Sequence, residues 1–278
     1  MGIPFDNGCS CGLGAKYAPQ VIRELSTYLP PYTEVGESIK GFKLHDYGDI
    51  TDFVLVMELV VKALQQNKFN LAIGGDHSVS IYLQKAFYKY ALDVNKTPVI
   101  IHIDAHPDIC DIYDNKIDSH ATTIKRAIDN GYDFDNIILI GIRGFEEQEV
   151  VYLNEHPEIK VFSSFFLNKN GFDELLNYLI NKYNHDDYIV YLSYDIDALD
   201  PSFAPGTGTP EAFGLNNRAL TNFILELFKS LPILAMDIVE ISPPLDNNNI
   251  TSWLALKTLY EVFKIIKDKR TLDETYSS

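Results

Sequence analysis

Acidic residues and histidines follow directly after four short apolar segments of the chain. The segments that follow are Gly74-Gly75-Asp76-His77-Ser78, Asp104-Ala105-His106-Pro107-Asp108, Tyr194-Asp195-Ile196-Asp197, and Glu240. Side chains of these types bind divalent cations or transfer protons. If the apolar segments are parallel β-strands, their carboxyl ends would bring all of these side chains to one edge of a sheet.

The spacing within two of these segments is regular. Asp104, His106 and Asp108 lie two residues apart, and Asp195 and Asp197 repeat the pattern. In an extended chain, side chains two residues apart point to the same face. The extended span from Asp104 to Asp108 is roughly 13 Å, which is too long for both ends to bind one ion. Either the chain curls there, or two ions about 3.5–4 Å apart share the carboxylates.

The predicted ligands are four carboxylates and two imidazoles, with no thiolate. They are His77, Asp104, His106, Asp108, Asp195 and Asp197. Oxygen-rich sites with some imidazole suit Mn²⁺ best, with Fe²⁺ or Co²⁺ as alternatives. Without a cation between them, the carboxylates would repel one another. For a single acid after a strand, a helix cap or a turn is the alternative interpretation, and it applies to Asp76 and Asp200.

The elements that must position these residues are visible as apolar runs. Six strands are predicted, at Asn70–Ile73, Pro98–Ile103, Asn136–Gly141, Ile159–Phe162, Tyr188–Ser193 and Pro232–Val239. Seven helices are predicted, near Ala18–Ser26, Asp52–Gln66, Ser78–Ala91, Ala121–Asn130, Phe172–Tyr183, Asn216–Phe228 and Ser252–Lys267. Continuous Val, Ile and Leu runs that alternate with helices are typical of an α/β fold with a mostly parallel sheet. No segment has the composition of a linker, so we predict a single domain over residues 1–278.

The composition limits the classes of partner. Of the 278 residues 46% are hydrophobic, and 23 basic against 39 acidic residues give a formal net charge of −16. This charge argues against nucleic acid as a partner. It would attract a small cationic molecule, although solubility alone also explains it. No apolar run reaches the roughly 18 residues of a membrane span, so no membrane partner is expected.

The cysteines and the first residues indicate the compartment. Cys9, Cys11 and Cys110 are too few, and odd in number, for a disulfide framework. Cys9 and Cys11 have no second cysteine pair with which to complete a zinc site, so we interpret them as ordinary loop thiols. The first residues do not form a signal peptide. We therefore predict a cytoplasmic protein.

With these motifs the chain resembles the ureohydrolase family, which comprises arginases, agmatinases and their relatives. The resemblance covers most of the chain and is strongest in the segments around His77 and Asp104 and in the stretch Ser193–Pro201, which continues to Ala204-Pro205-Gly206-Thr207-Gly208. It implies an arginase-like three-layer α-β-α domain with two Mn²⁺ ions per subunit, assembled as a homo-oligomer, usually a trimer or hexamer. Relatives usually have a strand before Gly2-Ile3-Pro4-Phe5-Asp6. Either the natural start lies upstream of Met1 or an edge strand is missing.

The resemblance also assigns functions to individual residues. By the family pattern His77 and Asp108 would bind one ion, His106 and Asp197 the other, and Asp104 and Asp195 would bridge them. Glu240 takes the place of the acid that binds the guanidinium group, and His120 that of the histidine that shuttles protons. Hydroxide bridging the metals would attack the guanidinium carbon. Asp197 would accept the second proton of this nucleophile, and His120 would protonate the leaving amine.

The segment between Asp108 and His120 bears on the substrate. Asp111-Ile112-Tyr113-Asp114-Asn115-Lys116 resembles agmatinases of the archaeal and thermophilic-bacterial branch, and Cys110 stands where arginases have an Asn that reads the α-carboxylate. We therefore expect hydrolysis of agmatine to putrescine and urea. The alternatives are guanidinobutyrate, formiminoglutamate, guanidine or arginine as substrate, amide or phosphate hydrolysis at the same site, and a catalytically silent binding relative. Glu146 is a candidate for reading the distal amine, or else an acid at a helix N-terminus.

Overall fold

The computed structural model describes the backbone of residues 1–276 and the side chains of residues 1–270. The predicted domain ends at Ser278, so its last two residues, 277–278, lie outside the described residues. Six strands form one sheet: β1 (Asn70–Ile73), β2 (Thr97–Ile103), β3 (Ile137–Ile142), β4 (Lys160–Ser163), β5 (Tyr188–Asp195) and β6 (Ile233–Val239). The order across the sheet is β1-β6-β5-β2-β3-β4, and every pairing is parallel. All six predicted strands are thus confirmed, with small shifts of their ends.

Nine helices are described. They are α1 (Ala18–Ser26), α2 (Phe53–Gln65), α3 (Val79–Asp93), α4 (Thr123–Asp129), α5 (Glu147–Glu155), α6 (Ser164–Asn170), α7 (Asp173–Tyr183), α8 (Asn217–Ser230) and α9 (Ile250–Tyr276). The seven predicted helices are present, and α5 and α6 were missed. In α5 only Glu149 is buried, and α6 has seven residues, so neither shows the apolar stripe on which a helix prediction depends. None of the described helices is long and apolar enough to span a membrane.

The helices cover both faces of the sheet. Consecutive residues of β5 show this directly, because Tyr191 packs in a core with α2 and α3, whereas Leu192 packs in a core with α1, α7, α8 and α9. Successive side chains of a strand point to opposite faces, so the sheet has an apolar layer on each side. β3 is buried along its whole length, as a strand covered on both faces must be. The chain therefore has the predicted three-layer α-β-α architecture.

The strand order places the chemistry-bearing segments side by side. The four strands that precede these segments, β1, β6, β5 and β2, are consecutive neighbours in the sheet. Because all of them run in the same direction, their carboxyl ends open onto a single edge. The N-terminal segment reaches the same edge, since Ile3 N donates to Ile73 O (2.9 Å) and Asp76 N donates to Phe5 O (2.8 Å).

Candidate metal centre

The imidazole of His77 faces three carboxylates. Its Nδ1 lies 2.9 Å from Oδ2 of Asp104, 3.0 Å from Oδ2 of Asp108 and 3.2 Å from Oδ2 of Asp195. All four side chains are buried. They come from the ends of β1, β2 and β5, so this half of the site is assembled from three strands.

The imidazole of His106 forms a second, adjacent group. Its Nδ1 lies 3.1 Å from Oδ2 of Asp197 and 3.4 Å from Oδ1 of Asp104. Asp104 thus presents one oxygen to His77 and the other to His106. This is the position that a carboxylate shared by two ions would occupy. All six predicted ligands are therefore brought together, and we refer to them below as the ligand cluster.

The chain curls where the extended spacing would have separated Asp104 from Asp108. His106 N donates to Oδ1 of Asp104 (2.6 Å), which turns the backbone immediately after β2. Asp108 has a φ of 53°, in the left-handed region that few residues other than glycine adopt. The hydroxyl of Thr123, the first residue of α4, donates to Oδ2 of Asp108 (2.7 Å) and fixes that carboxylate. Of the two alternatives predicted from the spacing, the structure therefore shows features of both. The chain curls after β2, and the predicted ligands form two adjacent groups that share Asp104.

The ligand cluster has the chemistry of a cation site. His77 Nδ1 and Asp104 Oδ2 are buried and have no hydrogen-bond partner, although they face each other. Burial, together with the charges of Asp197 and Asp104, raises the pKa of Asp195 well above its usual range. Divalent cations would use these unpaired atoms as ligands and would favour the ionised carboxylates. The cluster therefore fits a binuclear metal site.

His102 lies closer to the cluster than its position inside β2 indicated. Its Nε2 is 3.1 Å from Oδ2 of Asp104 and 3.2 Å from the carbonyl oxygen of His106, and its ring stacks on that of His77 at 4.9 Å. With His77, Asp104 and Asp108 it forms one set whose donor atoms are mutually close. These contacts allow His102 to hold the carboxylate of Asp104 in place.

A buried hydrogen-bond network that sequence reasoning missed orients His77. His77 Nε2 lies 2.9 Å from Oγ of Ser193, and that hydroxyl donates to Oδ1 of Asp237 (2.9 Å). Asp237 also accepts from the hydroxyls of Ser80 and Tyr191. A proton held on Nε2 leaves the lone pair of Nδ1 directed at the carboxylates, as metal ligation requires.

Arg143, which follows β3, fixes the other half of the site. Its guanidinium donates to the carbonyl oxygens of six residues, among them Asp197 (2.7 Å) and Glu211 (2.9 Å). Five of these carbonyls belong to the turn that carries Asp197 and to the loop that carries Thr209, and the sixth, that of Gly141, belongs to β3. Thr209 Oγ1 in turn donates to Oδ2 of Asp197 (3.2 Å). Arg143 therefore positions Asp197, a predicted ligand, through its backbone.

Glu240 and His120, the two predicted catalytic residues outside the cluster, are neighbours. Glu240 Oε1 accepts from the backbone N–H of His77 (2.8 Å) and lies 3.7 Å from Nδ1 of His120. Burial, followed by the charge of Asp76, raises the pKa of Glu240 well above its usual range. Burial lowers the pKa of His120. A buried carboxylate next to the cluster is suited to a cationic group, which would restore its ionised form.

A loop of the N-terminal segment covers this pair. Oδ2 of Asp76 accepts from the backbone N–H groups of Gly8 (2.6 Å) and Cys9 (3.1 Å), so Asp76 is the turn-stabilising acid that the alternative interpretation expected. The loop then presents Cys9 to Glu240, at 3.9 Å from Oε2, and Ser10 to His120, at 3.1 Å from Nε2. Neither contact was predicted, because the loop lies more than 100 residues from its partners in the sequence.

Comparisons with known proteins agree with this geometry. The sequence model of the Arginase family matches residues 1–264. An agmatinase of Neisseria meningitidis is 34% identical, over 93% of this chain and 85% of its own length, and a guanidinobutyrase of Pseudomonas aeruginosa is 29% identical, over 96% and 85%. The crystal structure of agmatine ureohydrolase of Thermoplasma volcanium superposes with a TM-score of 0.82 at 32% identity, covering 96% of this chain and 90% of that one. The chain therefore belongs to the arginase family of hydrolases, which act on amidino C–N bonds.

Proposed function

We propose that the protein hydrolyses agmatine to putrescine and urea at a centre of two manganese ions. The observation that carries this proposal is the position of the buried Glu240 carboxylate, which contacts both the backbone of His77 and the ring of His120. A guanidinium group bound to Glu240 would lie beside the ligand cluster on one side and an acid–base residue on the other. Such an arrangement suits the chemistry of a resonance-stabilised cation, which needs a strong nucleophile and a protonated leaving group.

The ligand assignments follow the two halves of the cluster. His77 and Asp108 would hold one ion and His106 and Asp197 the other, with Asp104 and Asp195 between them. Oxygen-rich ligation with two imidazoles supports manganese. When bound, the pair of ions would supply a hydroxide nucleophile from water near neutral pH.

The remaining steps belong to side chains of the chain itself. Glu240 would hold the guanidinium and orient its carbon toward the cluster. Asp197, whose Oδ2 also accepts from Thr209, would take up the second proton of the nucleophile. His120 would give a proton from Nδ1 to the departing amine, which is a poor leaving group until it is protonated.

Charges near the site favour agmatine over guanidinobutyrate. Two carboxylates lie at its edge: the half-buried Glu211, with Oε1 3.7 Å from Nε2 of His106, and the exposed Glu146, which accepts from the phenol of Tyr113. The cations Lys116 and Arg143 donate to backbone carbonyls. Such carboxylates would attract the terminal ammonium of agmatine and repel the carboxylate of guanidinobutyrate or arginine.

The proposed function is accompanied by proposals for the domain organisation, the compartment and the assembly of the protein. We propose that residues 1–278 form one domain and that the protein works in the cytoplasm as a homo-oligomer. The three cysteines support the compartment, because the structure leaves Cys9, Cys11 and Cys110 unpaired. Size-exclusion chromatography with light scattering would measure the number of subunits.

The test is a substrate panel with the Mn²⁺-loaded protein. Urea release is measured from agmatine, guanidinobutyrate, arginine and guanidine, and formamide release from formiminoglutamate. We expect the highest kcat/KM for agmatine. A higher value for guanidinobutyrate would transfer the assignment to that substrate and would show that the edge carboxylates do not set the specificity. Two bound ions without turnover of any member would refute the proposed function.

A further inference from the structure

The two imidazoles of the ligand cluster are oriented in the same way. Each directs Nδ1 at the carboxylates of the cluster and Nε2 away from them. Nε2 of His77 lies 2.9 Å from Oγ of Ser193, which donates to Asp237 (2.9 Å). Nε2 of His106 lies 3.7 Å from Oε1 of Glu211. Both histidines therefore have a carboxylate behind them, which His77 reaches through a hydroxyl and His106 reaches directly.

The contact between His106 and Glu211 leaves no space for an intervening water. Two hydrogen bonds of roughly 2.8 Å through one water would separate the groups by about 4.5 Å, which is more than the distance between these atoms. The distance is longer than that of an ordinary hydrogen bond. The side chain of Glu211 is 43% exposed, so it has room for the small rotation that would shorten the contact.

Gly144 leaves the edge of the His106 ring open to Glu211. A Cβ at this position would lie 2.6 Å from Cδ2 and 2.8 Å from Nε2 of His106, and 3.3 Å from Cδ of Glu211. The backbone of Gly144 is held in place, because its N–H donates to the carbonyl oxygen of Ala105 (3.0 Å), beside the ligands Asp104 and His106. A side chain at this position would therefore displace the ring or separate it from the carboxylate.

The backbone of Glu211 is fixed to the same half of the ligand cluster. Its carbonyl oxygen accepts from Nη2 of Arg143 (2.9 Å), and the same nitrogen donates to the carbonyl oxygen of Asp197 (2.7 Å). Thr209, two residues earlier, donates to Oδ2 of Asp197 (3.2 Å). One short loop thus contacts both proposed ligands of this half, Asp197 through Thr209 and His106 through Glu211.

We infer that Glu211 is a positioning residue that fixes the ring of His106 and the proton on its Nε2. An imidazole that binds a cation through Nδ1 keeps its proton on Nε2. A carboxylate that accepts a hydrogen bond from this N–H group orients the ring and makes Nδ1 a stronger ligand. This inference rests on the proposed metal centre, because it concerns the affinity of His106 for an ion. Glu211 keeps its negative charge in this role, so it can still attract a cationic substrate to the edge of the site.

Glu211→Ala removes the carboxylate and keeps the anchor of the loop. Arg143 bonds the carbonyl oxygen of residue 211, which every residue type supplies. Glu147→Gln is the matched control, because Glu147 is exposed and directly follows the other edge carboxylate, Glu146. Both variants lose one negative charge near the edge of the site, but only Glu211→Ala loses the contact with His106.

The first measurement is the affinity for Mn²⁺. Isothermal titration calorimetry of the metal-free protein gives the dissociation constants of the two ions. Loss of a residue that orients a metal-binding histidine typically costs roughly 10–100-fold in metal affinity. We expect Glu211→Ala to raise one of the two constants about tenfold, at the lower end of that range because Glu211 is half-buried, and to leave the other unchanged. Glu147→Gln should match wild type in both constants.

Two results of this comparison would contradict the inference. If both constants are unchanged in Glu211→Ala while KM for agmatine rises, Glu211 acts on the substrate alone. If the free energy of unfolding of the metal-free variant falls below that of wild type in urea, the carboxylate serves the stability of the loop. We expect this free energy to equal that of wild type, because the variant keeps the backbone contact with Arg143.

The second measurement observes the Nε2 proton of His106 itself. Nitrogen-15 NMR of the full chain is recorded with diamagnetic Zn²⁺ in place of Mn²⁺, and the signal is assigned by its absence in His106→Asn. A hydrogen bond to a carboxylate shifts an N–H proton downfield and slows its exchange with water. We expect the signal in wild type and in Glu147→Gln, and its upfield shift or its loss through exchange in Glu211→Ala. An identical signal in all three proteins would refute the inference.

Neither measurement requires turnover, so failure of the inference can be distinguished from failure of the proposed function. If wild type binds two ions and hydrolyses no member of the substrate panel, the proposed function fails, and the dissociation constants still decide the role of Glu211. If agmatine is hydrolysed and Glu211→Ala matches wild type in both measurements, only the inference fails.

Discussion

Nη2 of Arg143 donates to the carbonyl oxygen of Asp197 at 2.7 Å, and its other donors bond the carbonyls of five further residues. A single planar guanidinium therefore joins the end of β3 to two parts of the segment after β5, the turn at Asp197–Leu199 and the loop at Glu211 and Ala212. The carboxylate of Asp197 points into the ligand cluster, at 3.1 Å from His106. The position of this proposed ligand thus depends on a residue that contacts only its backbone.

This dependence makes Arg143→Lys an informative variant. An ammonium has three donors and cannot reproduce the planar arrangement, so several carbonyls would lose their partners. We expect a loss of about 2–4 kcal/mol in the free energy of unfolding, at roughly 1 kcal/mol per hydrogen bond, and weaker binding of the second Mn²⁺ ion. Denaturant titration and elemental analysis would measure both. Arg218→Lys, at an exposed ion pair with Glu34, is the control and should change neither.

Asp104 is the residue whose loss should affect both halves of the cluster. Its two oxygens face different histidines, so Asp104→Asn would remove one charged ligand shared by both proposed ions. We expect the content of bound Mn²⁺ to fall from two ions to one or none, and turnover to be lost. Asp200→Asn is the matched control, because Asp200 lies outside the ligand cluster and accepts from the backbone of Ser202 and Gly214. Full metal content and activity in Asp104→Asn would exclude the two-metal assignment.

Glu240→Gln tests the guanidinium site without altering its shape. The amide oxygen can still accept from the backbone of His77, but the charge that would bind the cationic substrate is gone. We expect kcat/KM to fall about 10²-fold, in line with the roughly 1.5–3 kcal/mol of a hydrogen bond between charged groups. Metal content, measured in the same samples, should stay at the wild-type value. If kcat/KM is also unchanged, Glu240 does not bind the substrate.

Glu149 gives a prediction about pH. Burial raises its pKa from 4.5 to about 7, so the folded protein binds its proton more tightly than the unfolded chain does. Stability from this group is therefore complete below pH 4.5 and is lost as the pH rises to about 7. In the metal-free chain, Glu149→Gln should match wild type near pH 4.5 and be more stable by up to about 3 kcal/mol near pH 8. Urea titrations at both pH values would measure the free energy of unfolding of each protein. The same difference between the two proteins at both pH values would contradict the prediction.

The strands and the proposed ligands could be predicted because their signals are local. β1 was predicted with its exact ends as Asn70–Ile73, and the alternation from Asp104 to Asp108 is contained in five residues. To predict that these ligands form one site, we needed only the general property that the carboxyl ends of parallel strands lie at one edge of the sheet.

The supporting residues could not be predicted in the same way. His102, Ser193 and Asp237 form one row across β2, β5 and β6, and this row exists only once the order and register of the strands are known. Arg143 acts through backbone carbonyls, which no residue pattern reveals. Asp237 was visible as a polar residue in a buried strand, a placement that demands hydrogen-bond partners, but its partners come from α3 and β5.

The strand order also has a consequence for the time at which the site forms during synthesis. β6 lies between β1 and β5, although it is the last of the six strands to be made. Until it is inserted, His77 at the end of β1 has no fixed position relative to Asp195 at the end of β5. Pairing of strands so distant in sequence is slow, because the intervening loop must close first. We therefore expect a nascent chain that ends before β6 to bind the metal ions more weakly than the complete chain does. Metal binding would then complete folding instead of guiding its first steps.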